Sequence, residues 1–252
     1  MYYFQIIVTL NKKIFFRRLT TMKYTKVLTA TFINRPNRFI ANVLLEGDST
    51  PTTVHVKNTG RCKELLIPGA KVVLSDSMNP NRKTRYDLIG VYKEGTGYIN
   101  MDSQAPNAVV KEWLTTSNNP IFKNITYIKP EYTFMDSRID FYIEENDSKT
   151  LMEVKGVTLE IDGVGYFPDA PTERGVKHLN HLAEWARMGN KSYLAFVIQI
   201  PNVTFVHPND RTHREFGIAL QAAIDSGVKV LYLGCHMTPE EIKIGDVYGP
   251  KQ

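Results

Sequence analysis

Cysteine is nearly missing from this chain: Cys62 and Cys235 are the only two in 252 residues, far apart and without neighbours at metal-ligand spacing. That excludes a disulfide framework and a zinc site, and it fits a reducing compartment such as the cytoplasm. Long apolar runs are missing as well, since no stretch reaches the roughly 20 residues a membrane-spanning helix needs, so no membrane partner is expected. The opening M-Y-Y-F-Q-I-I-V-T-L comes nearest, but Gln5 interrupts it and no basic residue precedes it. It therefore lacks the layout of a secretory signal. What remains is ordinary for a globular protein, with 42% hydrophobic and 23% charged residues, enough to bury one large core or two smaller ones.

The net charge of +5 invites a polyanionic partner, but its distribution decides how that is read. Residues 1–22 carry Lys12, Lys13, Arg17 and Arg18 and no acid. In the rest, 23–95 holds 12 basic and 6 acidic residues, whereas 96–252 holds 15 and 20. A basic front half followed by an acidic back half suits a first domain that grips a polyanion and a second that holds cations. Uneven surface charge without function is the plainer alternative.

From Lys26 to Gly95 short alternating runs recur, V-L-T-A-T-F-I, R-F-I-A-N-V-L-L, T-V-H-V, K-V-V-L and Y-D-L-I-G-V-Y, separated by turn signals such as Arg35-Pro36-Asn37 and Asn58-Thr59-Gly60. About five strands at this spacing predict a small barrel of the kind that holds nucleic acid with basic loops. Arg61, Lys63, Arg82 and Lys83 are the candidate DNA contacts on those loops. Each taken alone reads equally as a solvated charge, and the Asn58–Gly60 segment reads as a plain turn or as a loop that lets a phosphate approach.

The second half opens with P-N-A-V-V-K-E-W-L, whose Val109, Val110, Trp113 and Leu114 recur at helical spacing, with Trp113 in the core. Strands follow near 124–134, 137–145 and 150–159. Ile139 and Phe141 flank Asp140, and Glu153 and Lys155, two apart, project to one face. A carboxylate on one strand can then meet a Glu/Lys pair on its neighbour. Two carboxylates side by side repel unless a cation lies between them, and all-oxygen ligation suits Mg²⁺ or Mn²⁺. Glu131, nine residues before Asp140, is a further candidate ligand. The loop Y-F-P-D-A-P-T-E-R-G-V-K-H-L then feeds a helix capped by Thr172, with Val176, Leu179, Leu182, Ala183 and Ala186 as its buried stripe and Gly189 as its stop. Arg174, Lys177 and His178 fall within about a turn of one another and are candidate phosphate contacts; Asp169 reads as a supporting group or as a turn residue. The remaining strand, helix and strand predict a mixed sheet with helices packed on it. His207, His213 and His236 have no partner pattern and read as structural, and the tail after Gly234 reads as surface.

The string S-R-I-D-F, E-V-K-G-V-T-L, Y-F-P-D-A-P-T-E-R-G-V-K-H-L resembles the SfsA, or sugar fermentation stimulation, family, and its Asp and Glu-x-Lys strands resemble the wider PD-(D/E)XK nuclease superfamily. N-R-P-N-R-F-I-A, N-T-G-R-C-K-E-L-L-I-P-G and N-R-K-T-R-Y-D-L continue the family likeness over roughly 23–233. The resemblance implies an N-terminal OB-like barrel over 23–95 and a nuclease-like α/β domain over 96–252, with 1–22 an extension or a misassigned start. It also implies DNA binding, with RNA or single strands as further partners, and a proposed regulatory role in sugar metabolism. Asp140, Glu153 and Lys155 would form a metal-dependent catalytic set, with Asp140, Glu153 and Glu131 the metal ligands. A non-catalytic DNA-binding protein that retained the fold and a hydrolase of a small phosphorylated metabolite are the alternatives.

Overall fold

The computed structural model describes residues 22–249 apart from Thr59 and Asn118, so residues 1–21 of the expected extension lie outside the described residues. Met22–Lys23 forms β1. Alternating apolar residues then build β2 (Val27–Asn34), β3 (Ile40–Leu45), β4 (Thr52–Val56), β5 (Lys71–Asp76), β6 (Tyr86–Lys93) and β7 (Gly97–Asn100). These run in the order β4-β3-β2-β5-β6-β7, and a parallel pairing of β4 with β6 closes five of them into a barrel. Ala41, Val43, Val54, Leu74 and Leu88 fill its interior with no exposure to solvent. The sheet runs past residue 95 because Gly95 and Gly97 take φ of +74° and +103° and turn the chain back as a further strand. Val73, Ile89 and Tyr98 on its outer face pack against Tyr24 and Met237 of the second domain. The unbroken apolar run K-V-V-L follows from that, since β5 is covered on both sides.

The second domain comprises α1 (Ala105–Leu114), β8 (Ile125–Phe134), β9 (Ser137–Glu145), β10 (Ser148–Val157), β11 (Leu159–Ile161), β12 (Val164–Phe167), α2 (Glu173–Arg187), β13 (Lys191–Ile198), β14 (Val206–Pro208), α3 (Asp210–Asp225), β15 (Lys229–Met237) and β16 (Glu241–Tyr248). Its main sheet is ordered β1-β16-β15-β13-β10-β9-β8, with β10, β13 and β15 parallel at the centre. Side chains of β13 alternate between the two covers. Tyr193, Ala195 and Val197 meet Val109, Val110 and Trp113 of α1, while Leu194 and Phe196 share a core with Leu179 and Leu182 of α2 and Phe216 of α3. Helix α2 begins where expected because the Thr172 side chain accepts from the Gly175 N–H at 3.0 Å, and it ends where Gly189 takes φ of +84°.

Two expectations need correction. The segment after Gly234 is not a surface tail: β15 continues to Met237, and β16 adds a strand whose Ile242 is fully buried. Its E-I-K-I-G-D-V-Y run has the period-2 alternation of a half-buried strand. Tyr166 and Phe167, expected to open the loop into α2, likewise lie in a strand, Val164–Phe167, the centre of a small sheet ordered β11-β12-β14. Among the described residues no helix is long and apolar enough to cross a membrane.

Candidate functional site

Strands β9 and β10 pair from Ser148 and Glu145 only as far as Met152 and Phe141. Beyond that point the Asp140 side chain takes the place of a backbone partner: its Oδ2 accepts from the Val154 N–H at 2.8 Å. Its Oδ1 accepts from the Asn107 amide on α1 at 2.7 Å. Asp140 is thus fixed at the point where the ladder opens, with Glu153 and Lys155 on the adjoining strand.

Glu153 is only 2% exposed. Its Oε1 accepts from Lys155 Nζ at 2.6 Å and meets His178 Nδ1 at 2.5 Å. Arg174 Nε approaches His178 Nε2 at 3.3 Å. A guanidinium can only donate, so Nε2 accepts and the ring proton sits on Nδ1, which donates to Glu153. Burial pushes the Glu153 carboxyl up, but Lys155 and His178 together outweigh it and hold it below the usual range. Asp140 moves the other way, pushed up to about 6 by burial first and by the Glu153 charge second, against the opposing pull of Lys155.

These residues fit a hard cation. Glu153 Oε2 is buried with no hydrogen-bond partner among the described residues, and Asp140 bears the repulsion of a neighbouring carboxylate. A divalent ion held between them would satisfy the first and relieve the second. Among the described residues no group of three or more His, Cys, Asp or Glu side chains is arranged to hold a metal. Two carboxylates are nonetheless the donor count typical of Mg²⁺, which keeps several of its waters.

The remaining expected site residues are distributed differently. Glu131 is exposed and paired with Arg138. His178 is buried between Arg174 and Glu153 rather than open to a phosphate. Lys177 is exposed and bonds Asp136 Oδ2 at 2.7 Å, tying α2 to the β8–β9 hairpin. In the barrel Arg82 is committed to Asp87 by two bonds of 3.0 and 2.7 Å, while Arg61, Lys63 and Lys83 are exposed and without an ion pair among the described residues. One contributor escaped the sequence reading, and another, Arg35, is a basic loop residue of the barrel with a structural part. Asn107 pairs across 33 residues, and no spacing rule announces such a contact. Arg35 donates to the carbonyls of Arg38, Asn58, Gly60 and Arg61 and so knits the 58–61 loop together. That loop is also fastened to the second domain, where the Arg61 N–H donates to Asp169 Oδ2 at 3.2 Å.

Residues 33–101 match the family described as SfsA N-terminal OB domain, and residues 104–241 match the sugar fermentation stimulation protein RE domain. The chain belongs to the sugar fermentation stimulation family. Members named sugar fermentation stimulation protein homolog include one from Desulfitobacterium hafniense, 50% identical over 225 residues, covering 89% of this chain and 96% of that protein. Another, from Ruminiclostridium cellulolyticum, is 52% identical over 214 residues, covering 85% and 92%. Among solved structures, Pyrococcus furiosus SfsA in complex with Ca²⁺ superposes with a TM-score of 0.81 at 26% identity, covering 91% of this chain and 97% of that one.

The raised ionisation of Asp140 makes stability depend on pH. Between its ordinary 3.8 and about 6 the folded chain holds a proton that the unfolded chain has released. Stability therefore falls as pH rises through that window and levels off above it. Asp140→Asn removes the dependence. In chelator, its urea midpoint relative to wild type is expected to be higher at pH 8 than at pH 4.5, by a difference worth at most about 3 kcal/mol. A pH-independent difference would show that the carboxyl is not held up by its surroundings.

Proposed function

We propose that the chain is a nucleic-acid-binding protein whose second domain hydrolyses phosphodiesters with Mg²⁺ or Mn²⁺, in the manner of a PD-(D/E)XK nuclease. The reading is supported by one observation: the charges of Glu153 and Lys155 act on Asp140 near the point where β9 and β10 part, and one Glu153 oxygen is left buried without a hydrogen-bond partner among the described residues. Support also comes from the Pyrococcus furiosus relative, solved with Ca²⁺, an ion that seeks oxygen ligands as Mg²⁺ does.

Asp140 and Glu153 would hold the cation, which when bound polarises a phosphoryl oxygen and acidifies a water. The protein's own groups do the rest. Lys155 places a fixed positive charge beside the carboxylates, where it orients the attacking water and offsets charge building on the phosphate. His178 keeps Glu153 in one orientation, and Asn107 and the Val154 N–H do the same for Asp140. Arg174, exposed at the start of α2, receives a phosphate oxygen, and Arg61, Lys63 and Lys83 on the barrel hold the strand. Free thiols at Cys62 and Cys235 agree with a reducing, cytoplasmic setting.

The test is incubation of the purified chain with single- and double-stranded DNA and RNA in Mn²⁺, beside Glu153→Ala and an EDTA control. Cleavage is expected from the wild type only, with a loss of about 10³-fold or more in the variant. Binding by the wild type without cleavage would sink the hydrolytic half and leave a binding protein. Neither binding nor cleavage would sink both.

A further inference from the structure

The small sheet β11-β12-β14 has one face the core does not use. Inward, Phe167 packs against Phe196 and Phe216 with ring centroids 5.7 and 5.0 Å away. Outward, Tyr166 and His207 are register partners on β12 and β14 with rings 6.0 Å apart. Phe205 meets His207 at 4.8 Å and rests on Tyr232 at 4.5 Å. His207 is exposed and Phe205 is 45% exposed. A single exposed ring is ordinary. Three touching aromatic rings on one sheet face form a row, and this row has a destination.

Tyr166 also lines a cavity of about 170 Å³ at the seam between the domains, walled by Asn58 and Gly60 of the barrel, by Gly156 and Thr158 at the end of β10, and by Asp169 and Gln199. Val157, two residues beyond Lys155 and on the same face of β10, also lines the cavity, so the cavity opens at the end of the strand that carries the proposed catalytic pair. Cationic side chains stand beside the cavity. Arg61 and Lys63 belong to the loop that lines the cavity, and Arg211 and Arg214 open α3 just after β14; all four are exposed, with no ion pair among the described residues. Of the nearby acids, Glu160 is paired with Lys93 and Asp169 accepts from the Arg61 N–H, while Glu64, on which the Asp169 charge acts, Asp162 in the β11–β12 turn and Asp210 are without an ion pair among the described residues.

Exposed aromatic rings beside cationic side chains match the chemistry of unpaired bases, each of which has a π-face to stack, whereas a duplex keeps its bases stacked inside and offers mainly phosphates. We propose that Tyr166, His207 and Phe205, running into the seam cavity, form a stacking track for single-stranded nucleic acid and lead its backbone toward Asp140, Glu153 and Lys155. The track rests on the hydrolytic reading only for what happens to the strand after it arrives.

Fluorescence anisotropy in EDTA, where no cation-dependent hydrolysis occurs, tests it with a labelled oligothymidine and a matched duplex. The full chain carrying Phe205→Ala and His207→Ala together is expected to bind the single strand about tenfold or more weakly than wild type, with duplex binding unchanged and Phe205→Trp retaining affinity. Unchanged single-strand affinity, or equal losses on both forms, would overturn it. If the double variant fails to fold, photocrosslinking of a 5-iodouridine strand to the wild type decides: adducts are expected at Tyr166, Phe205 or His207, and adducts confined to the barrel would overturn the track. Ring-dependent binding with no turnover in Mn²⁺ sinks the hydrolytic reading alone, and cleavage with ring-independent binding sinks the track alone.

Discussion

Lys155→Met is expected to lose cation-dependent cleavage by about 10³-fold or more while binding Ca²⁺ or Mn²⁺ at least as tightly as the wild type. The two effects part because the proposed reading gives Lys155 two separable roles. In the absence of a metal its ammonium sits 2.6 Å from Glu153 Oε1, where it is the chief attraction that holds the buried carboxylate ionised. A divalent ion arriving at Glu153 meets a side chain already partly neutralised, so removing the lysine removes a competitor. In the proposed turnover the same ammonium, two residues from Glu153 on β10, would orient water and offset negative charge gathering on the phosphate. Methionine keeps the apolar stem packed and drops the charge. Calorimetric titration with Ca²⁺ and a gel assay in Mn²⁺ read the two quantities separately. Persistent cleavage would remove Lys155 from the chemistry. Weakened Ca²⁺ binding would show that the lysine supports the cation site rather than competing for it.

The parts of this molecule that could be read from sequence are those fixed by local physics. Alternation located the five barrel strands and the β9–β10 hairpin, since residues two apart share a face whatever lies beyond it. Capping chemistry located α2 between Thr172 and Gly189. The Glu153 and Lys155 pairing was legible for the same reason, being an i, i+2 contact on one strand. Long-range contacts were not. Asn107 reaches Asp140 only because α1 crosses the opened end of the ladder, and His178 is buried because α2 packs its first turns onto β10. Arg82 looked like a free loop cation until Asp87, five residues on, closed on it. The small sheet went unread because β12 and β14 pair across an intervening helix and strand, and three- and four-residue strands carry too little alternation to stand out.

Asp102→Ala is expected to be among the costliest single truncations in the chain, lowering stability by about 3–5 kcal/mol. Asp102 lies between β7 and α1, fully buried, where the barrel meets the second domain. It bonds Lys57 Nζ of the barrel at 3.0 Å, the Tyr24 hydroxyl at 3.2 Å and the Gln104 N–H at 2.9 Å. Burial first, and the Asp102 charge next, push the Tyr24 phenol far up, so it stays protonated and keeps donating. Around this hub Gln199, which lines the seam cavity, donates to Asn100 and to the Asp102 backbone carbonyl, while the carboxylate itself joins Lys57 and Tyr24. Truncation leaves the Lys57 ammonium without its counter-ion and strips a donor's acceptor from a buried hydroxyl, losses that exceed the mean worth of a hydrogen bond. Urea unfolding followed by circular dichroism measures the cost, and the double replacement Lys57→Met with Asp102→Leu separates its causes. If the penalty comes from an uncompensated buried charge, the double variant recovers most of it, because an apolar pair of similar size needs no partner. If it stays as unstable as Asp102→Ala, the bonds to Tyr24 and Gln104 carry the seam instead. A truncation costing less than about 1 kcal/mol, the level of an exposed pair, would mean that other contacts, such as the Val73, Ile89 and Tyr98 packing and the Lys93–Glu160 pair, hold the two domains together.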